Sequence, residues 1–159
     1  MVWDYHVVLL VRRDPANDAR PPATMHPVDT DPELSAWEIW DPDSSLPRPS
    51  CAREYLDASF PVSDSIPESF RPGFRIIPAS TFLLEFHSDR SHMKTQEGWR
   101  ATPPVWQAIL GPHAEFPARR AGTHNLDAFI DVSTNFLGEC LDLKGLQAWI
   151  SAAPSQSDA

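Results

Sequence analysis

The chain predicts an α/β (α+β) protein built on a small antiparallel sheet flanked by helices, and three observations predict it. Residues 5–12, Tyr-His-Val-Val-Leu-Leu-Val-Arg, form an apolar, β-branched run of strand length. Residues 35–41, Ser-Ala-Trp-Glu-Ile-Trp-Asp, alternate as a strand does. Apolar residues then recur at helical spacing in residues 80–86 and 143–150.

Taken in order, the first run predicts a strand buried on both faces, because no polar residue interrupts its apolar stretch. Residues 14–33 hold five prolines among Asp, Asn, Ala and Thr, a composition that predicts a long exposed loop. The second strand places Trp37, Ile39 and Asp41 on one face and Ala36, Glu38 and Trp40 on the other. Pro42 lacks a backbone donor and ends it. These two strands are predicted adjacent and antiparallel. Ser50 is a candidate N-cap for a helix over residues 51–59. Residues 74–77 read as a strand, and 80–86 as a helix burying Phe82, Leu83 and Phe86. Residues 94–124 are again loop-like, with four prolines. Asn125 is a candidate cap for a short helix through Leu126, Phe129 and Ile130. Asp142 plays that part for the last helix, with Leu143, Leu146, Trp149 and Ile150 inward. The expectation is one domain over residues 1–151, with the Pro-rich insertion at about 14–33 and a flexible tail at 152–159.

Composition excludes several function classes. With 22 acidic against 13 basic residues the net charge is −9, which argues against sequence-independent binding to nucleic acid or an anionic membrane. An acidic surface tolerates a cationic partner such as a peptide's α-amine. No run approaches the length of a transmembrane helix, and Asp4 and His6 break any signal-peptide pattern. Cys51 and Cys140 are too few for a disulfide framework and lack metal spacing. The expectation is a reduced, cytoplasmic or nuclear protein, and a monomer.

Two residues stand out for chemistry. Amide hydrolysis by a thiol needs a nucleophile, a base to activate it and a group that orients the base. Imidazole suits the base because its pKa lies near neutrality. If the two strands are antiparallel, the start of the first lies beside the end of the second, so His6 and Asp41 can meet. Asp43 is a second candidate for the orienting role, since it shares Asp41's strand face. Each alone also fits a structural part: a satisfied strand-end histidine, or an Asp that forms the turn before Pro42. Ser88-Asp89-Arg90-Ser91-His92-Met93 suggests a hydrogen-bonded loop wall, with Arg90 forking onto a carboxylate.

In this order, Trp3-Asp4-Tyr5-His6, Asp41-Pro42-Asp43 with Leu46-Pro47, and Ser88 to Met93 resemble the protein N-terminal glutamine amidohydrolase family. The likeness extends to Phe74-Arg75-Ile76-Ile77 and to residues 125–130, covering most of the chain outside the Pro-rich insertion and the tail. It implies a fold similar to papain-like and transglutaminase-like thiol hydrolases. The activity it implies is deamidation of a protein's N-terminal glutamine to glutamate by a Cys-His-Asp mechanism, feeding an N-terminal degradation (N-degron) pathway. The resemblance assigns His6 as base and Asp41 as orienter. Asp4, Asp89 and Ser91 are candidates for holding the substrate, with Asp89 facing its α-ammonium. No metal or organic cofactor is implied. Two departures matter: the Pro-rich insertion is longer than the family's connection, and the family's nucleophilic Cys lies upstream of the histidine. The thiol is therefore expected in an upstream segment absent from this sequence. Cys51, at a predicted helix start, is the alternative nucleophile, although it follows the carboxylate in chain order, while Cys140 reads as a core strand residue. A further alternative is a catalytically inactive truncated homologue that only binds peptide N-termini.

Overall fold

The computed structural model describes residues 5–14, 36–61, 65–114 and 124–152. The Pro-rich insertion is therefore largely outside the described residues, and so are Asp4 and the tail beyond Ala152. The chain divides into two compact units, residues 1–72 with 142–159, and residues 73–141.

The first unit carries a three-stranded antiparallel sheet ordered β1 (Leu9–Arg12), β2 (Trp37–Trp40), β3 (Ser50–Cys51). Its register pairs Leu9 with Trp40 and Arg12 with Trp37, while Glu38 and Ile39 face Cys51 and Ser50. The predicted antiparallel pair is present. Burial on both faces is not: Tyr5, Val7 and Leu9 are exposed, alternating with half-buried His6, Val8 and Leu10. The strand lies at the sheet's edge, where Tyr5, Val7 and Leu9 keep about half of their surface. Central β2 instead buries both Glu38 and Ile39, with Arg13 Nε 3.3 Å from the Glu38 carboxylate.

Helix α1 (Ala52–Ser59) follows β3 without a break, its N-cap being Cys51 rather than Ser50. Ser50 is drawn into the sheet as Ile39's partner, and its hydroxyl donates to the Pro47 carbonyl instead of capping. Ala52, Tyr55 and Leu56 form the buried stripe of α1 at i, i+3, i+4 spacing. The last helix of the chain also belongs to this unit. It spans Leu143–Ala152, buries Leu146 and Ile150, and brings Trp149 to 5.5 Å from Trp37 between ring centroids. Asp142 caps it as expected, its carboxylate accepting the Gly145 N–H at 2.7 Å.

In the second unit β4 (Gly73–Ile76) pairs with a later strand, Glu139–Asp142. Helix α2 (Ala79–Glu85) turns Phe82 inward, where it stacks on Phe86 at 4.7 Å. Both rings meet Phe129 edge-on from α3 (Leu126–Ile130). Leu83, expected in that stripe, is exposed, because the aromatic cluster takes the Phe82–Phe86 edge of the helix. Among the described residues of the loop-like stretch there is one short hairpin, β5 (Lys94–Thr95) with β6 (Gly98–Trp99). The later strand, now β7, holds Cys140 exposed rather than in a core, and the last helix is α4. Asn125 stands before α3 without capping it by its side chain. Its amide instead accepts the His87 N–H and donates to the Glu85 carbonyl, tying α3 to the end of α2.

Candidate active site

His6 precedes β1 by three residues and Asp41 follows β2 by one, so the sheet register sets their meeting. Extended past Leu9–Trp40, that register puts His6 opposite Asp43, with Asp41 two residues back on the same side. Pro42 then turns the chain, and the Asp43 N–H donates to Asp41 Oδ1 at 2.9 Å. The turn carries the Asp43 side chain outward and leaves Asp41 buried. His6 Nε2 consequently lies 2.9 Å from Asp41 Oδ1, whereas Nδ1 is 4.0 Å from Asp43 Oδ2. Between the two candidate orienters, Asp41 makes the contact.

The carboxylate is held from a second direction. Tyr55, buried on α1, donates its hydroxyl to Asp41 Oδ2 at 2.8 Å. The route is short: β3 pairs with β2, α1 starts at once, and Tyr55 comes one turn into it. Sequence reading missed this residue. A signal was present, because a Tyr on the buried stripe of a helix requires a partner for its hydroxyl.

Electrostatics follow from these contacts. Burial acts to raise the Asp41 pKa, but the bonds from Tyr55, the Asp43 N–H and His6 outweigh it, and the carboxyl sits below its ordinary value. The same bond, added to burial, pushes the Tyr55 phenol up to about 12. Asp41 is therefore a fixed anion against Nε2, and a proton shared along that contact favours the Nε2–H tautomer. The other ring nitrogen, Nδ1, is turned away from Asp41 and lies 4.0 Å from Asp43 Oδ2.

Asp4 lies outside the described residues. Asp89 and Ser91 belong to the second unit, where the Asp89 carboxylate accepts the Ser91 N–H at 2.9 Å. Arg90 adopts a left-handed backbone (φ 64°) and donates to the Pro104 and Trp106 carbonyls at 3.2 and 2.8 Å. Its predicted fork onto a carboxylate is replaced by these backbone acceptors. Cys51 is only 2% exposed and in no disulfide, pinned between its strand pairing and the start of α1. That burial is the setting of a packed apolar residue.

A family model described as N-terminal glutamine amidase matches residues 1–150. The protein N-terminal glutamine amidohydrolase of Arabidopsis thaliana is 32% identical over 152 residues, covering 95% of this chain and 58% of that protein. Its Homo sapiens counterpart is 36% identical over 110 residues, 69% of this chain and 44% of the relative. For Danio rerio the figures are 32% over 131 residues, 82% and 52%. The chain thus spans about half the length of the curated relatives it matches. Both the motifs around His6 and Asp41 and the loop from Ser88 to Met93 fall inside the matched region, and the chain belongs to the N-terminal glutamine amidase family.

Proposed function

We propose that His6 and Asp41 are the base and its orienter in a thiol amidohydrolase that converts the N-terminal glutamine of a protein or peptide to glutamate. The observation that carries this reading is the 2.9 Å contact of His6 Nε2 with buried Asp41, in a chain matched by the amidase model over residues 1–150. A thiolate attacks the side-chain carboxamide carbon, and the C–N bond breaks as Nδ1–H of His6 gives its proton to the departing ammonia. Water, losing a proton to Nδ1, then cleaves the thioester and restores the thiol. Asp41 holds Nε2–H throughout and stabilises the imidazolium.

The thiol is assigned to the segment that precedes the histidine in the family, because Cys51 is buried. The small antiparallel sheet with a helix supporting its carboxylate agrees with a fold similar to papain-like thiol hydrolases. Asp4, Asp89 and Ser91 are assigned to substrate binding, with Asp89 receiving the α-ammonium, and the −9 net charge suits a cationic substrate terminus. The product, an N-terminal glutamate, would enter an N-degron pathway in the cytoplasm or nucleus, the enzyme acting as a monomer without a cofactor.

The test is ammonia release from a Gln-led peptide. It compares this 159-residue chain with a longer version carrying the segment that precedes the histidine in the family. Activity is expected in the longer version, and His6→Ala or Asp41→Asn there should cost on the order of 10²–10⁴-fold. Turnover retained in His6→Ala removes the role assigned to that residue. Turnover by the 159-residue chain lost on Cys51→Ser would move the nucleophile to Cys51. Silence in both versions with calorimetric binding of Gln-led peptides would favour a binding remnant.

A further inference from the structure

Asp41 ends in a rotatable carboxylate, and only one of its orientations serves His6. Oδ1 lies 2.9 Å from His6 Nε2 and accepts the Asp43 N–H at 2.9 Å, while Oδ2 takes the Tyr55 hydroxyl at 2.8 Å. The terminal torsion of an aspartate is broad and roughly two-fold, so its own rotamer preference does not hold the carboxylate plane. Partners on both oxygens do. The Asp43 N–H belongs to Asp41's own turn and moves with it. Tyr55 stands 14 residues away on α1, on the buried stripe it shares with Ala52 and Leu56. Because α1 continues directly from β3, and β3 is paired to β2, this hydroxyl is tied to the sheet that carries the carboxylate.

We infer that Tyr55 is a positioning residue of the hydrolase: by fixing the carboxylate plane of Asp41 it fixes the ring orientation and tautomer of His6, without touching substrate. The catalytic half of this inference rests on the reading of His6 and Asp41 as base and orienter, whereas the structural half rests on the contacts alone. Remove the hydroxyl and Oδ2 becomes a buried charged oxygen without its donor, a costly state. The carboxylate relieves it by rotating toward another donor or by admitting water, and either movement misaligns the bond to Nε2. The imidazole then samples other orientations and its other tautomer, in which Nδ1 carries the proton and cannot take one. Fewer sites are poised for proton transfer, but the hold on the peptide is untouched, so the loss falls on kcat and leaves KM alone.

The experiment reads the ring itself, by histidine-selective nitrogen-15 NMR of the 159-residue chain at pH 7. Of the six histidines, His6 is expected to give a low-field ring N–H, assigned by its loss in His6→Ala. Tyr55→Phe should move this signal upfield and speed its exchange with water about tenfold or more, the scale of losing a bond to a charged group. Ile150→Val loosens the core of the same unit without reaching the carboxylate, and should leave the signal in place. In the longer version carrying the preceding segment, Tyr55→Phe should lower kcat for a Gln-led peptide about tenfold with KM unchanged. In an Asp41→Asn background it should cost nothing more, because it acts through that carboxylate. No such signal in the parent, a signal unmoved by Tyr55→Phe, or one moved equally by Ile150→Val overturns the inference. So does a kcat loss that adds in full to that of Asp41→Asn. If the longer version releases no ammonia, the deamidation reading fails, and the ring signal alone then decides what Tyr55 holds.

Discussion

Replacing Tyr55 by Phe removes one oxygen from the site while keeping the ring that fills the core beside Ala52 and Leu56. Its hydroxyl reaches Asp41 Oδ2 at 2.8 Å, and Asp41 is a buried anion. A hydrogen bond to a charged group contributes roughly 1.5–3 kcal/mol. Titration sets the pH range of the effect. Burial first, then the bond to Asp41, raises the phenol from 10.0 to about 12. The sign is fixed by linkage: the unfolded phenol ionises near pH 10 and the folded one near 12. The contribution is therefore complete below pH 10 and is lost as pH rises to about 12.

Urea unfolding at pH 7 should show Tyr55→Phe less stable by roughly 1.5–3 kcal/mol. Between pH 10 and 12 the parent should lose this advantage and the two curves converge. Ultraviolet titration supplies an independent readout, because the chain has two tyrosines and subtracting the variant's curve isolates Tyr55. A stability gap constant from pH 7 to 12, or a Tyr55 phenol ionising near 10, would refute the account of how Asp41 is held.

Three further outcomes follow from the same structure. Because the folded Asp41 carboxyl sits below its ordinary value, its contribution is present above that value and lost as pH falls through the folded one; Asp41→Asn should flatten this acid limb of urea-measured stability. Ile150 is fully buried on α4, so Ile150→Ala should cost about 2–5 kcal/mol and Ile150→Val about 0.5–1.5 kcal/mol in thermal or urea unfolding. Arg75 donates to the carbonyls of Phe129, Asp131, Thr134 and Leu137, fastening the segment between α3 and β7. A lysine cannot span four acceptors, and Arg75→Lys should raise amide hydrogen exchange across residues 131–137 ahead of any change in the first unit.

Much of the site was legible in one dimension. A polar residue opening an apolar run, and an Asp closing an alternating one before a proline, place two groups at strand ends. An antiparallel pairing is enough to bring such ends together. The helix ending at Ile150 was equally readable, because Leu143, Leu146 and Ile150 recur at helical spacing behind an Asp that caps. What failed was local inference about things that depend on neighbours. Ser50 is a good cap by type, but its pairing with Ile39 draws it into the sheet. Leu83 lost its place to three aromatic rings, and Arg90 met carbonyls where a carboxylate was expected.

The antiparallel pairing of β1 with β2, and with it the coming together of His6 and Asp41, was thus set by the sequence, since it follows from periodicity and chain reversal, whereas β3, the pairing of β4 with β7 and the β5–β6 hairpin were not read from it. Only tertiary structure decided which carboxylate does the holding. Asp41 and Asp43 are equivalent by spacing, and they diverge because the turn at Pro42 bonds the Asp43 N–H to Asp41 and tips the Asp43 side chain into solvent. Tertiary structure alone also supplied Tyr55, which stands 14 residues from Asp41 along the chain and one hydrogen bond away in space. Sequence patterns record which residues face a core; which polar atoms meet inside it depends on side-chain packing between elements, and no periodicity encodes that.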